Sequence, residues 1–289
     1  MKDRPLAGIL LMIATTAVFA TQDGFSRHLA DKYNTMMVVM IRYWFFAAFV
    51  IVWAVMQSGG LRSVVRSNRP VLQIGRGVLL ALEILVAVWG FTLIGLVDSM
   101  AIFAVYPLLV IALSGPLLGE AIGWRRWAAV GVGFVGVLII LAPTGAARSW
   151  AHLIPFASAL MFALYQIMTR MASRDDSSKT SFFYTGVAGA VTATAFGLPF
   201  LEPMSLADQG WMAALCISGV LGHYLLIKAL EMTQASTIQP FSYLHQVFAS
   251  AVGVIVFGEV FGLNTIGGAA LIILTGLFAL YRQSRAQNG

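Results

Sequence analysis

The sequence has few charged residues and a single cysteine. Only 10% of its 289 residues are Asp, Glu, Lys or Arg, whereas a soluble domain carries about a quarter. Hydrophobic residues make up 59% of the chain, and the mean hydropathy is +0.85. The lone Cys216 excludes an intramolecular disulfide. This composition predicts an integral membrane protein.

The sequence also lacks the groupings that catalysis requires. It has no phosphate-binding glycine loop, and none of its four histidines shares a metal-binding spacing with another histidine or a carboxylate. We therefore predict no catalytic residue, no metal and no cofactor. Two other classes stay as alternatives. One is a membrane-embedded enzyme that uses Glu83 with His223 or His245. The other is a channel, which would require a ring of repeated pore residues.

Long apolar stretches dominate what is present. Each has about 17 to 25 residues, the length that an α-helix needs to cross about 30 Å of hydrocarbon. Because the connections are short and lipid tolerates no unpaired backbone amides, the prediction is an all-α bundle of ten transmembrane helices with no soluble domain. The ten stretches lie near residues 6–25, 35–57, 74–96, 98–118, 124–142, 151–170, 180–200, 209–231, 236–257 and 262–282.

The net charge of +6 is distributed unevenly along the chain. Fourteen of the eighteen Lys and Arg residues fall on the side of the N-terminus, three fall on the other side, and Arg42 lies within a stretch. The positive-inside rule then places both termini in the cytoplasm. The basic segment LRSVVRSNRPVLQIGR sets this topology, with Arg76 near the cytoplasmic surface, and it predicts no nucleic-acid partner.

Two motifs occur twice in the same order. LLGEAIG at 117–123 matches VFGEVFG at 256–262 with a spacing of 139 residues. VFATQDGFSR at 18–27 precedes MFALYQIMTR at 161–170 by 143 residues. These matches indicate an internal duplication.

The duplication divides the chain into residues 1–145 and residues 146–289. Each half holds five predicted helices, and five is odd, so the second half must enter the membrane from the opposite side. Such inverted repeats are a recurrent design of transporters, with a substrate site near the membrane midplane.

The MIRYW segment around Arg42, the two Gly-Glu motifs, ALYQIMTR and PFSYLHQVFASAVGVIVFGE together resemble the drug/metabolite transporter superfamily, specifically its ten-helix EamA-type carriers. The resemblance covers about residues 6–282. It implies a bacterial inner-membrane carrier that exports amino acids or related small metabolites by alternating access, like the YddG-like exporters. PFSY and RWAAVGVGFVGVLIILAP also resemble S-adenosylmethionine uptake carriers, so uptake of that or a nucleoside-type metabolite is the alternative.

Three polar residues share one face of the ninth predicted helix. Ser242, His245 and Gln246 stand at i, i+3 and i+4. Such a face lines either a hydrogen-bonded seam between helices or a water-filled cavity, and the bulk of adjacent His and Gln favours the cavity. Ser242 and His245 could then bind a substrate carboxylate, and Gln246 an ammonium.

Four polar or aromatic residues lie within about four residues of their helix centres, roughly 6 Å from the midplane. They come from two helices of each half, and we predict that they line a small-molecule pocket. The aromatic walls would be Trp89 and Tyr224. The four are Glu83, Tyr106, His223 and His245.

Several charged residues allow two interpretations. Glu83 could bind a proton or a substrate ammonium, or it could join two helices in a neutral form. Arg42 could hold a substrate carboxylate, although pairing with Asp23 or Asp31 near the outer surface is favoured. Asp23 itself is either a gate contact or a solvated helix end.

The glutamates of the two Gly-Glu motifs have predicted structural roles. Glu120 and Glu259 should accept hydrogen bonds from backbone amides at the N-terminus of the next helix. Glycines in the fifth and tenth stretches indicate close helix packing, either within a protomer or between two. The oligomeric prediction is accordingly a monomer or a homodimer.

Overall fold

The structure is a computed structural model that describes residues 4–57, 60–120, 123–140 and 150–287. Within these ranges the chain forms helices joined by short connections, without a strand. Short 3-10 turns precede α7 and α11 and follow α8. The helices are α1 Pro5–Ala30, α2 Thr35–Val55, α3 Gly60–Val65, α4 Pro70–Phe103, α5 Tyr106–Leu118, α6 Trp124–Ile140, α7 Leu153–Ala172, α8 Ser178–Gly197, α9 Leu206–Met232, α10 Ala235–Ile238, α11 Tyr243–Phe257 and α12 Leu263–Gln287.

The lengths of these helices fit a membrane protein. Among the described residues, six helices are long and apolar enough to cross a bilayer: α1, α2, α4, α8, α9, and α7 together with the turn before it. Shorter apolar helices of 10 to 17 residues lie in α5, α6, α11 and α12. The all-helical membrane architecture is therefore confirmed, whereas the count of ten spans stays a prediction.

The third and fourth predicted helices divide differently from the expectation. α4 runs for 34 residues and contains a break at Gly95, where φ is 82° and ψ is 169°. Glycine tolerates this positive φ because it has no Cβ. α5 then begins at Tyr106, with Pro107 in its first turn, where a missing amide hydrogen costs no helical hydrogen bond. The predicted boundary near residue 97 follows hydropathy, which does not detect the backbone conformation of one glycine.

The duplicated Gly-Glu motifs form the same helix ending twice. Gly119 closes α5 with φ 71°, and Gly258 closes α11 with φ 66°. The amide of Glu120 donates to the carbonyl of Ser114, and the amide of Glu259 donates to Gly253, both at 3.2 Å. A left-handed glycine beyond the last helical residue is a common way to end a helix. The motif therefore repeats because the ending repeats.

Glu259 has the predicted role but a different partner. Its carboxylate accepts hydrogen bonds from the amides of Leu96 at 2.9 Å and Val97 at 2.7 Å. These amides begin the helical segment that follows Gly95, so the carboxylate caps an internal helix start of α4 and not the helix that comes next in the chain. Arg27 lies 3.8 Å from the same carboxylate.

The long helices pack in pairs. α1 lies along α9, α2 along α8, α4 along α7, and α6 along α12. One of the predicted glycine seams is present within the protomer: a Cβ on Gly136 would stand 2.8 Å from the carbonyl oxygen of Gly268. Gly131 and Gly267 face open space instead, so close packing explains only part of the glycine pattern.

Arg76 is completely buried in the second turn of α4, and its position near the cytoplasmic surface stays a prediction. Its Nε donates to Gln73 at 2.7 Å, and its terminal nitrogens donate to Thr169 at 3.1 Å and Thr185 at 2.9 Å. A further donor reaches the carbonyl of Ser181. The arginine thus joins α4 to α7 and α8.

Asp176, in the connection between α7 and α8, extends this network to the helix end. It accepts hydrogen bonds from the Ser67 hydroxyl, the amide of Asn68 at 2.7 Å and the Gln73 side chain at 2.9 Å. Burial alone would raise the pKa of Asp176, but these hydrogen bonds outweigh it and hold the pKa below its usual value.

Candidate functional site

A central cavity of about 50 Å³ lies among α1, α2, α4, α7, α9 and α11. Because one water molecule needs about 10–15 Å³ of such volume, the cavity holds only a few waters. Polar and charged side chains form one part of its wall and aromatic rings another. The polar residues are Gln22, Asp23, Ser26, Arg42, Glu83, His223 and His245, and the rings are Phe19, Phe91, Phe103 and Phe162.

Asp23 and His245 form a buried pair across α1 and α11. The distance from Asp23 Oδ2 to His245 Nε2 is 2.6 Å, and both side chains are largely shielded from solvent. His245 was predicted to line the pocket, and it does contact the cavity. Asp23 is no solvated helix end, because α1 continues to Ala30 and α11 covers the carboxylate.

Arg42 and His223 form a second buried contact, between α2 and α9. An Arg42 terminal nitrogen donates to His223 Nε2 at 3.1 Å. Since arginine has no acceptor, this Nε2 is unprotonated and the imidazole carries its proton on Nδ1. The favoured pairing of Arg42 with Asp23 or Asp31 is wrong, because Asp23 pairs with His245 and Asp31 pairs with Arg27 at the end of α1. The remaining donors of Arg42 have no partner among the described residues, and the side chain lines the cavity.

Glu83 supplies a second carboxylate to the same cavity. Ser158 on α7 donates to Glu83 Oε1 at 2.7 Å. Within the described part of the chain, no Lys, Arg or His lies in ion-pair distance of Glu83. Glu83 is therefore held by a neutral hydroxyl and keeps acceptor capacity for a ligand.

The other polar candidates lie beside the cavity and not in its wall. Ser242 donates to Gln239 at 3.3 Å, and Tyr106 lies next to Ser242 and Gln166. Gln246 is only 3% exposed, and neither its amide oxygen nor its nitrogen has a hydrogen-bond partner among the described residues.

The predicted aromatic walls point away from the cavity. Trp89 is 46% exposed and contacts Trp150, with 5.9 Å between ring centroids. It follows Glu83 by six residues, which rotates it about 240° around an α-helix, to the far side. Tyr224 follows His223 by one residue, packs on Phe182 at 5.3 Å, and lines a separate apolar groove. Depth in the membrane alone does not predict facing.

The cavity contains opposite charges close together. Arg42 offers planar N–H donors that match a carboxylate, and the carboxylates of Asp23 and Glu83 can bind an ammonium or another cation. The rings of Phe19 and Phe103 supply faces that attract cations. No group of three or more His, Cys, Asp and Glu residues in the described ranges could hold a metal ion. The arrangement can bind a small molecule that carries both charges.

The chain matches the EamA-like transporter family over residues 6–142 and again over residues 149–281, and it belongs to that family. The S-adenosylmethionine uptake transporter of Rickettsia conorii is 26% identical over 98% of this chain and 95% of its own length. The riboflavin transporter of Vibrio cholerae is 26% identical over 96% and 94%. The pseudopaline exporter CntI of Pseudomonas aeruginosa is 24% identical over 98% of both chains.

The fold has a counterpart among solved structures. One crystal structure, 18% identical in sequence, covers 96% of this chain and 98% of its own with a TM-score of 0.72. Together with the family and the apolar helices, these findings make the protein a multi-pass, non-enzymatic carrier of the bacterial inner membrane.

Proposed function

We propose that this carrier binds metabolites of the amino-acid type that bear both a carboxylate and a cationic group. One observation carries the proposal: Arg42, Asp23 and Glu83 line the same cavity in the middle of the helix bundle. Asp23 is paired with His245, whereas Arg42 and Glu83 have no ion-pair partner of opposite charge among the described residues. A zwitterionic ligand supplies those missing partners.

Alternating access between two inverted five-helix repeats, residues 1–145 and 146–289, is the proposed mechanism. Two observations support it. The family matches each half separately, and the helix endings at Gly119 and Gly258 have the same geometry 139 residues apart. With five helices in each half and both termini cytoplasmic, the halves would rock around the cavity and expose it to either side in turn.

The cavity is too small for a metabolite in this conformation. A space of about 50 Å³ holds only a few waters. Transport therefore requires the helices around it to separate, by rigid-body motion of packed elements.

S-adenosylmethionine is the specific candidate. Its methionine part carries an ammonium and a carboxylate, and its sulfonium adds a second positive charge. A cavity with two carboxylates and one guanidinium complements that net charge, and the rings of Phe19, Phe91, Phe103 and Phe162 offer faces to a sulfonium and to adenine. Four Rickettsia relatives are named for uptake of this compound.

Export of neutral amino acids is the second candidate. It is favoured by the pairing of Asp23 with His245, because His245 already occupies Asp23 and leaves Arg42 with Glu83 to bind a simple zwitterion. Riboflavin has no formal charge, so it would form an ion pair with neither Arg42 nor Glu83.

The test is counterflow in proteoliposomes containing the purified protein. Vesicles preloaded with unlabelled S-adenosylmethionine should accumulate the labelled compound, and arginine, methionine and riboflavin should be compared as competitors. We expect S-adenosylmethionine to exchange and riboflavin to compete weakly. Exchange of riboflavin alone, or of no zwitterion in the panel, would overturn the proposal.

A further inference from the structure

A second buried polar cluster lies beside the central cavity. Gln239 Nε2 donates to Gln166 Oε1 at 2.8 Å, and Ser242 donates to Gln239 Oε1 at 3.3 Å. Tyr106 completes this amide cluster, which joins α5 and α7 to the segment before α11. All four side chains are fully buried, yet none of them carries a formal charge.

The amide cluster is the repeat-related counterpart of the Asp23–His245 pair, and each of the two combines residues from both halves of the chain. The 143-residue spacing of VFATQDGFSR and MFALYQIMTR sets Asp23 over Gln166. The 139-residue spacing of the Gly-Glu motifs sets His245 over Tyr106. The duplication has thus left a charged version of one arrangement in the central cavity and a neutral version in the amide cluster.

Aromatic rings separate the two versions. Phe19 and Phe162 are themselves equivalent at the 143-residue spacing, and their ring centroids are 6.4 Å apart. Phe162 contacts Tyr106 at 5.0 Å on one side, while Phe19 contacts His245 at 5.9 Å on the other. A ligand longer than the cavity would pass these rings to reach the amide cluster.

Hydrogen bonding in the amide cluster is incomplete. Gln166 Nε2 is buried and has no acceptor among the described residues. Leaving such a group unpaired costs about 1–3 kcal/mol. A glutamine amide offers a donor beside an acceptor, and this pattern pairs with the amino group and ring nitrogen of adenine. Gln166 Nε2 offers an unpaired donor for this purpose.

We propose that the amide cluster is a second subsite, which binds the neutral, nucleobase-like edge of a substrate whose zwitterionic end occupies the central cavity. The inference rests on the proposed function. It narrows the substrate class to elongated metabolites with a charged amino-acid end and an adenine-like end. If the amide cluster only joined α5 and α7 to the segment before α11, replacing its residues would not change the preference between ligands with and without an adenine-like end.

The test uses two probes with the same charged end. S-adenosylmethionine carries adenine, and S-methylmethionine is a sulfonium amino acid without it. Each probe competes with labelled S-adenosylmethionine for binding to the purified protein. In Gln166→Met we expect half-maximal competition by S-adenosylmethionine to need about 10-fold more ligand, while S-methylmethionine changes by less than about twofold.

Two further variants guard against a folding defect. Tyr106→Phe removes one hydroxyl without changing the ring, and it should weaken S-adenosylmethionine alone by about threefold. Thr15→Val is a control that is equally buried and lies outside both sites, with its hydroxyl bonded to the carbonyl of Leu11 in its own helix, so the ratio of the two affinities should stay as in the wild type.

The possible outcomes separate the two proposals. Equal loss of both probes in Gln166→Met and Tyr106→Phe, or no loss of either, would overturn the subsite while leaving the proposed function intact. If the wild-type protein binds neither probe, the proposed function is wrong and the subsite falls with it.

Discussion

Two buried arginines in this protein lie in opposite surroundings. Arg76 donates to five residues on three helices, and its guanidinium also lies 5.6 Å from the centroid of the Tyr165 ring. Arg42 has one hydrogen-bond partner among the described residues, His223, and its other donors face a cavity. Burying an arginine in a membrane is expensive in both cases. A fully bonded guanidinium holds helices together, whereas an incompletely bonded one is available to a ligand.

Replacing Arg76 should have the largest effect, and it should act on folding. Arg76→Met leaves the partners on α7 and α8 without a donor, at a cost of about 3 kcal/mol or more. We expect a lower yield of monodisperse protein in detergent and an earlier thermal transition. Normal yield and stability, together with lost transport, would place Arg76 in the transport machinery and remove the contrast.

Replacing Arg42 should abolish transport without unfolding the protein. Arg42→Gln keeps a donor for His223 but loses the charge-assisted contact to a substrate carboxylate, which is worth about 1.5–3 kcal/mol. Affinity for S-adenosylmethionine should fall about 10- to 100-fold, measured by binding to the purified variant. A thermal transition lowered as far as that of Arg76→Met would show that both arginines are structural.

Replacing Asp23 should weaken the cationic side of recognition. Asp23→Asn keeps an acceptor for His245 but removes one negative charge from the cavity. We expect about a 10-fold loss of affinity for S-adenosylmethionine and a smaller loss for a neutral amino acid, compared in the same counterflow assay. Equal losses for the two ligands would contradict a role in cation binding.

Asp176 should affect stability modestly and in a pH-dependent way. Its pKa in the folded protein is below the unfolded value, so its contribution is present above the unfolded pKa, near pH 4, and is lost as the pH falls through the folded pKa. Asp176→Asn should therefore lower stability by about 1 kcal/mol at neutral pH. The difference from wild type should shrink in acid, as followed by thermal unfolding; a constant difference would contradict this assignment.

Trp89→Leu should have the smallest effect. The indole lies on the outer surface of α4, so transport should stay within about twofold of wild type. The matched change Phe162→Leu alters a ring of the cavity wall, and we expect a clear loss of exchange there. Similar transport by the two variants would contradict the conclusion that Trp89 points away from the cavity.

The sequence predicts the helices and part of the cavity wall, but it does not predict every charged residue of that wall. Glu83, His223 and His245 were expected in the pocket, and all three line the cavity. Asp23 was left between a gate contact and a solvated helix end, and a structural role was favoured for Arg42, because hydropathy ends α1 near residue 25 and carries no information on what α11 covers. The duplicated motif held the missing signal: it aligns Asp23 with Gln166, which lies inside the predicted helix at 151–170, more than one turn before its end.

The sequence also did not predict which side of each helix points to the cavity. Trp89 and Tyr224 have the right depth, but each α-helical residue is rotated by about 100° from the last, and the face that points inward depends on neighbouring helices. The positive φ at Gly95, which lets Glu259 cap an internal helix start, likewise depends on a contact 163 residues away. Such features require the packed structure.

The most direct test of the account compares two ligands in two proteins. S-adenosylmethionine and its decarboxylated form differ by one carboxylate, and wild type and Arg42→Gln differ by the group proposed to bind it. We predict that removing the carboxylate weakens binding about 10- to 100-fold in the wild type and hardly at all in Arg42→Gln. The same loss in both proteins would contradict carboxylate recognition by Arg42.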